Sequence, residues 1–576
     1  MLEKINSPVD LKHLGSDELN TLAEEIRETL IKRITITGGH MGSNLGIIEA
    51  TIALHYVFDS PKDKFIFDVS HQSYTHKILT GRKSGYTDPE KYYTLSGYTT
   101  PSESEHDIFK VGHTSTSVSL ACGLAKARDF QNEKFNVIAV IGDGSLSGGE
   151  AFEGLNNAGK LDSNFIVLFN DNEMSIAPPQ GALHDHFRQL RESKGECANN
   201  YFKLLGFDYM YIENGNDIPS LIEAFKTVKD TNHPVVVHIH TLKGKGLQWA
   251  IDDKEAGHWA NSVERAKAIS ETNYQSETTN YFSKKVQSDD KLVVVTAATP
   301  TAMGLNYEFR KIAKERFIDV GICEEHAVAF VSAMAKEGMK PVFEVKSSFV
   351  QRTYDQLMQD LAMNNTPAVI LVADARVSGG DCTHVGMYDI ALVSSIPNLV
   401  CLAPSNLEQY LSALDYAINQ NERSMVVRMP TGKVVHGEAV KFDNINIFKY
   451  KYVRKGEKIA VIGLGTYQRL ADDVCKELIK YGFNPTLIDP VNYSQYDEET
   501  LEELKKNHVL TVVLEDGIVA GGFGEKIARY YGPSEMKTLC YGAQKNFNDL
   551  MDGEDVLLKS NLTKNQIVSD ILKLKI

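Results

Sequence analysis

The stretch Val137-IAVIGDGSLSGGEAFEGLNNAGKLDSNFIVLFNDNEMS-Ile176 decides the fold. Its two apolar runs, 137–141 and 165–169, are continuous rather than alternating, as expected for strands of a parallel sheet buried on both faces. Gly142-Asp143-Gly144 closes the first run, a helix starts near Ser147, and Asn170-Asp171-Asn172 closes the second. Both turns therefore fall at the carboxyl ends of parallel strands, where open α/β sheets bind ligands. The glycines let backbone approach an anion, and the following helix offers free N–H groups. Asp143 supplies a hard carboxylate and Asn172 a hard amide oxygen, the ligand types Mg²⁺ prefers, with diphosphate oxygens completing the shell. Gly, Asp and Asn also dominate ordinary turns. It is the pairing of two such turns at successive strand ends that points to a diphosphate and metal site.

The same rhythm recurs outward along the chain. Apolar runs at 234–240, 292–296, 368–373, 459–462 and 508–515 alternate with amphipathic stretches. The expected class is α/β, with three domains that each carry a mostly parallel sheet flanked by helices. A chain of 576 residues is too long for one hydrophobic core. The polar stretch 267–291 and a second break at 429–457 place the domains at about 1–285, 290–435 and 450–576. A net charge of −15 with no compensating basic block argues against a nucleic-acid or anionic-membrane surface. The seven cysteines are scattered without a C-x-x-C pair, which excludes a zinc ribbon and fits a reducing compartment. The charged amino terminus lacks a signal-peptide core, and no apolar run nears the roughly 18 residues of a spanning helix. The expected location is the cytoplasm. Gly463-Leu464-Gly465 lacks the third glycine of a dinucleotide fingerprint and reads as a strand-to-helix turn.

Gly-Asp-Gly followed about thirty residues later by Asn-Asp-Asn resembles the signature of thiamine-diphosphate enzymes. Six further segments, 38–59, 67–83, 111–128, 316–331, 348–357 and 521–529, resemble the 1-deoxy-D-xylulose-5-phosphate synthase family in family order. That resemblance implies a transketolase-like fold and a homodimer whose active sites lie between the first and second domains. It implies condensation of pyruvate with D-glyceraldehyde 3-phosphate to 1-deoxy-D-xylulose 5-phosphate and CO₂, serving isoprenoid and thiamine synthesis. The implied cofactors are thiamine diphosphate and Mg²⁺, with Asp143, Asn172 and Met174 as metal ligands. Cofactor contacts fall on His71, Gly112, His113, Thr114, Gly144, Ser145, Asn172, Glu324 and the stacking Phe349. Glu324, in the otherwise apolar run Val320-GIC, takes the role of the glutamate that hydrogen-bonds the aminopyrimidine. Partial burial there raises a carboxyl pKa and suits it to sharing a proton. His40, His258 and His384 join it as catalytic residues, since imidazole suits proton movements around a carbinol and an aldehyde. His40, Arg352, Arg376, Asp381 and His384 are the implied substrate contacts.

Departures from the family pattern cluster around the substrate. The family tyrosines after K-G-K-G and before the stacking aromatic are Leu247 and Lys346, and the glutamine after the catalytic glutamate is Glu325. A phosphate-binding arginine of the family is Thr431, which removes a bidentate anion anchor. The segment 374–384 is shorter than usual by about two residues, and the loop 181–202 by about forty. Two alternatives stay open on the sequence: a transketolase-like carboligase with another donor or acceptor, and a silent paralogue acting as a binding partner. The presence of Asp143, Asn172 and Glu324 together argues against the silent one.

Overall fold

The computed structural model describes residues 1–262 and 272–576. The chain divides into two compact units, Met1–Ile269 with Gly321–Cys323, and Ser270–Val320 with Glu324–Ile576.

The first unit is built on a five-stranded parallel sheet in the order Lys64–Phe67, Val137–Gly142, Phe165–Asp171, Pro234–His240, Asp208–Ile212. Both quoted runs are interior strands in direct register, with Gly142 opposite Asn170. The sheet therefore brings the Gly-Asp-Gly and Asn-Asp-Asn turns to one edge of neighbouring strands. One face of the sheet packs against helix Ser117–Gln131 and helix Gly149–Ala158 through Val118, Ala121, Ala151 and Leu155. The other packs against helices Ile48–Val57 and Ile218–Val228. Burial on both faces explains why the strands read as unbroken apolar runs. The helix expected near Ser147 begins with a 3₁₀ turn at Ser145–Ser147 and continues as Gly149–Ala158. A short antiparallel ribbon pairs His40 with Trp259 and Gly39 with Ala260.

The second unit contains two sheets. Six parallel strands run in the order Leu399–Leu402, Ser424–Arg428, Val369–Ala373, Lys340–Lys346, Leu292–Thr296, Phe317–Asp319. The other sheet has the order Lys451–Arg454, Thr486–Asp489, Lys458–Gly463, His508–Ile518, Lys537–Ala543, with only Lys451–Arg454 antiparallel. One hydrophobic core runs through both, from Phe343 and Ile370 to Ile462 and Phe523. A buried ion pair joins them: Arg428 forks onto Asp389 at 2.6 and 3.1 Å and donates to the Asp516 carbonyl at 2.7 Å.

Two polar stretches read as separators carry structure. Residues 267–271 lie outside the described residues, but Tyr274–Ser288 is a helix whose Tyr274, Phe282 and Val286 enter the core of the second unit. In the second break, Lys451–Arg454 forms an edge strand, a position that tolerates polar side chains. Gly463-Leu464-Gly465 is a strand-to-helix turn leading into helix Gln468–Lys480, as read.

Candidate active site

In the first unit, four strand ends and three loops are tied into one floor. The Asp143 backbone N–H donates to the Asn170 carbonyl at 3.3 Å, joining the two signature turns. Thr241 Oγ1 donates to Asn170 Oδ1 at 2.6 Å. Asp68, just beyond strand Lys64–Phe67, accepts from the Ser115 and Ser117 N–H groups at 2.8 and 3.0 Å. This fastens the loop carrying Gly112, His113 and Thr114, and Ser115 Oγ donates onward to the Ser145 carbonyl at 2.8 Å. Glycine is required where these loops meet: a Cβ on Gly148 would stand 2.1 Å from Ser115 Oγ, and one on Gly144 would stand 2.8 Å from Ser175 Oγ.

Asp143 is 2 % exposed, and its Oδ2 has no hydrogen-bond partner among the described residues. Burial and the neighbouring Asp171 push its carboxyl well above the ordinary range, while the Lys243 ammonium pulls it back. Lys243 is itself buried and donates to the Ser175 carbonyl at 2.7 Å. Asn172 Oδ1 accepts from the Met174 N–H at 3.2 Å and retains a second lone pair. A buried carboxylate oxygen left open on one turn, with an amide oxygen on the turn tied to it, makes a donor set that fits a hard divalent cation.

Three of the five expected histidines come together. Ring centroids of His40 and His71 lie 4.8 Å apart, His40 and His258 5.4 Å, and His71 and His258 5.5 Å. The ribbon pairing His40 with Trp259 is what delivers His258, distant in sequence, to this cluster. His71 Nε2 also meets Ser43 Oγ at 3.1 Å.

The second unit holds the remaining residues. Glu324 opens helix Glu324–Lys336 and is 4 % exposed, with no hydrogen-bond partner for Oε2 among the described residues. Burial raises its carboxyl to about 7, against the pull of the Arg352 guanidinium 3.9 Å away. Phe349 and His384 meet edge to face at 5.7 Å, and Thr383 Oγ1 contacts His384 Nδ1 at 2.8 Å. Arg376 is exposed and held by its backbone N–H to the Gly386 carbonyl at 2.8 Å. Asp381 caps the turn Cys382–His384 and lies with Cys382 and Asp549 so that their ligand-type atoms are within 4.8 Å of one another. Lys346 pairs with Asp374 at 3.3 Å at the ends of adjacent strands. Thr431 is half-buried.

Sequence reasoning passed over Asp68, Asp171 and Arg191, and used Lys243 only as part of a motif. Asp68 sits in the quoted segment 67–83, and a buried-acid role there could have been suspected from an Asp directly after a strand. The partners of Asp171 are 20 and 67 residues away in the chain, so no local pattern reveals them.

Comparison with known proteins is consistent along the chain. Residues 2–197 and 194–241 match the family model of 1-deoxy-D-xylulose-5-phosphate synthase, 271–435 the transketolase pyrimidine binding domain, and 449–539 the transketolase C-terminal domain. The chain is 36% identical over 616 residues to a protein of Caldanaerobacter subterraneus named 1-deoxy-D-xylulose-5-phosphate synthase, covering 100% of this chain and 99% of that protein. A protein of the same name from Natranaerobius thermophilus is 38% identical over 574 residues, covering 92% and 90% of the two chains. One from Dictyoglomus thermophilum is 39% identical over 566 residues, covering 91% and 90%.

Proposed function

The chain belongs to the 1-deoxy-D-xylulose-5-phosphate synthase family, and on that premise we propose how its residues carry the family reaction. It is a transketolase-type transferase that condenses pyruvate with D-glyceraldehyde 3-phosphate to 1-deoxy-D-xylulose 5-phosphate and CO₂. Thiamine diphosphate, when bound, supplies a thiazolium carbon that can add to the keto-acid carbonyl and hold electrons as CO₂ leaves.

Asp143 Oδ2, the Asn172 amide oxygen and Met174 would hold Mg²⁺, and His71, Gly112, His113, Thr114, Gly144 and Ser145 would bind the cofactor diphosphate. Phe349 packs on the pyrimidine. Glu324 Oε2 shares a proton with the pyrimidine ring nitrogen, and a carboxyl near 7 can both hold and release that proton at neutral pH. His40, His258 and His384 move protons at the carbonyl and hydroxyl oxygens, while Arg352, Arg376 and Asp381 orient the acceptor. The protein works as a cytoplasmic homodimer, and its domains follow the expected bounds except that helix Tyr274–Ser288 belongs with the second: about 1–270, 271–435 and 450–576. No described helix is long and apolar enough to cross a membrane.

The observation that carries this reading is Glu324: a buried carboxyl with an open oxygen and a pKa raised to about 7. Incubation with ¹³C-labelled pyruvate and D-glyceraldehyde 3-phosphate, followed by NMR of the products, tests it. Labelled 1-deoxy-D-xylulose 5-phosphate with stoichiometric CO₂ is expected. Acceptor-dependent product without CO₂ release would point to transketolase chemistry and overturn the assignment.

A further inference from the structure

The turn that presents Asn172 is strained, and one side chain from a distant helix grips it on both sides. Glu173, directly after Asn172, has φ 62°, a left-handed conformation that non-glycine residues adopt only when the surroundings hold them there. Arg191 reaches both neighbours of Asn172: Nη1 donates to Asp171 Oδ2, and Nη2 lies 3.4 Å from Glu173 Oε2. The same Asp171 oxygen accepts from His238 Nε2 at 3.0 Å, and Asp171 Oδ1 accepts from the Glu173 N–H at 3.2 Å.

The hydrogen bonds fix the direction of this network. Asp171 only accepts, so His238 carries its proton on Nε2, and its Nδ1 accepts from the Tyr209 hydroxyl at 2.7 Å. Asp171 is fully buried and Arg191 partly buried. The helix bearing Arg191, Ala182–Glu192, is fixed to the same strand it clamps. Its Phe187 packs 4.7 Å from Phe169, and His238 stacks on Phe169 at 4.2 Å. Arg191 also lines a cavity of about 520 Å³ together with Asp143, Glu173 and His184, so the clamp and the open Asp143 carboxyl share one space.

We propose that Arg191 is a positioning residue for the divalent cation: acting through Asp171 and Glu173, it holds the strained turn that aims the Asn172 amide at the metal. This rests on the reading of Asp143 and Asn172 as cation ligands. Groups that orient first-layer metal ligands are typically worth 10–100-fold in metal affinity. An arginine suits the position because its planar fork can meet two carboxylates at once, which an ammonium cannot do with fixed geometry.

The test measures thiamine-diphosphate binding by calorimetry across a Mg²⁺ titration in the full-length protein, with thermal melting as a check on folding. Arg191→Ala is expected to raise the Mg²⁺ concentration for half-maximal cofactor binding by 10–100-fold, with cofactor affinity largely recovered at saturating Mg²⁺. Arg191→Lys should fall between Ala and wild type, and it serves in place of the alanine variant if that one melts early. A Mg²⁺ midpoint in Arg191→Ala equal to or below that of wild type, while Asp143→Ala abolishes binding, overturns the clamp and leaves the cation site standing. If Asp143→Ala itself binds cofactor with wild-type Mg²⁺ dependence, the cation reading beneath the proposal falls instead.

Discussion

Asp143 in the first unit and Glu324 in the second are both buried carboxyls with one oxygen that no described residue satisfies, yet their surroundings suit them to different partners. Asp143 has a second acid, Asp171, in its field, and burial together with that charge drives it upward. Asp171 stays ionised because the His238 hydrogen bond and the Arg191 guanidinium outweigh its own burial. With Asp171 already offset by Arg191, the acid left with an open oxygen to take a cation is Asp143. Glu324 is pushed up mainly by burial, and Arg352 already supplies one opposing charge. That leaves it near 7, a value that suits a proton rather than a metal. An open buried oxygen is thus not a site by itself; the charges around it decide what, if anything, it takes.

Asp143→Ala removes the cation's carboxylate and should abolish thiamine-diphosphate binding measured by calorimetry. The cofactor-free protein should melt no lower than wild type, because an uncompensated buried carboxyl is lost. A variant that binds cofactor normally breaks the metal half of the comparison.

Next in size is the pair that shows what a satisfied buried carboxyl looks like. Asp389 is forked by Arg428, and removing one partner strands a buried charge, so Arg428→Ala should cost about 3–5 kcal/mol in chemical denaturation of the second unit. A cost below about 1 kcal/mol would mean that the ion pair contributes little to joining the two sheets.

Glu324 also gives a pH signature in the cofactor-free protein. Its folded pKa of about 7 exceeds the ordinary 4.5, so the folded state holds the proton more tightly than the unfolded one. The stabilisation is full below about pH 4.5 and is lost as pH rises through about 7, a difference of about 3 kcal/mol. Glu324→Gln should remove this dependence and melt higher than wild type at pH 8.5. Parallel melting curves for the two proteins from pH 5 to 8.5 would contradict the raised carboxyl.

The acceptor side should respond more weakly. Thr431 offers one neutral hydrogen bond where the family pattern has an arginine, so Thr431→Arg should lower KM for glyceraldehyde 3-phosphate by roughly ten- to a hundredfold. No change in KM, with unphosphorylated aldehydes used as well as before, would remove Thr431 from the phosphate site.

Glu344 sets the lower limit of the comparison. It is fully buried, both of its oxygens lack a hydrogen-bond partner among the described residues, and burial drives its carboxyl upward. It is therefore held neutral, and Glu344→Gln should shift stability at pH 6 by less than about 1 kcal/mol. A large loss would reveal a partner that Glu344 serves as an anion.

The fold was legible wherever burial was two-sided. Runs such as 137–141 and 292–295 are apolar throughout because both faces of their sheets are buried. Helix Tyr274–Ser288 was hidden because it buries a single stripe, Tyr274, Phe282 and Val286, in a stretch otherwise polar. Edge strand Lys451–Arg454 was hidden because one side of it faces no neighbour. At the site, residues in local motifs such as Gly142-Asp143-Gly144 could be read directly. Residues that hold those motifs in place could not, since Arg191 and His238 meet Asp171 only through the tertiary fold. The meeting of His40, His71 and His258 likewise depends on a two-residue ribbon with no periodic signal.

Hydrogen–deuterium exchange at the thiazolium C2 of bound cofactor, compared between wild type and Glu324→Gln at saturating thiamine diphosphate and Mg²⁺, tests the central claim most directly. Glutamine keeps the shape and loses the titrating proton, so cofactor affinity should stay within a few-fold while exchange slows by roughly 10²–10⁴. Exchange at the wild-type rate in a Glu324→Gln protein that binds cofactor normally would show that this carboxyl does not hold the reacting proton.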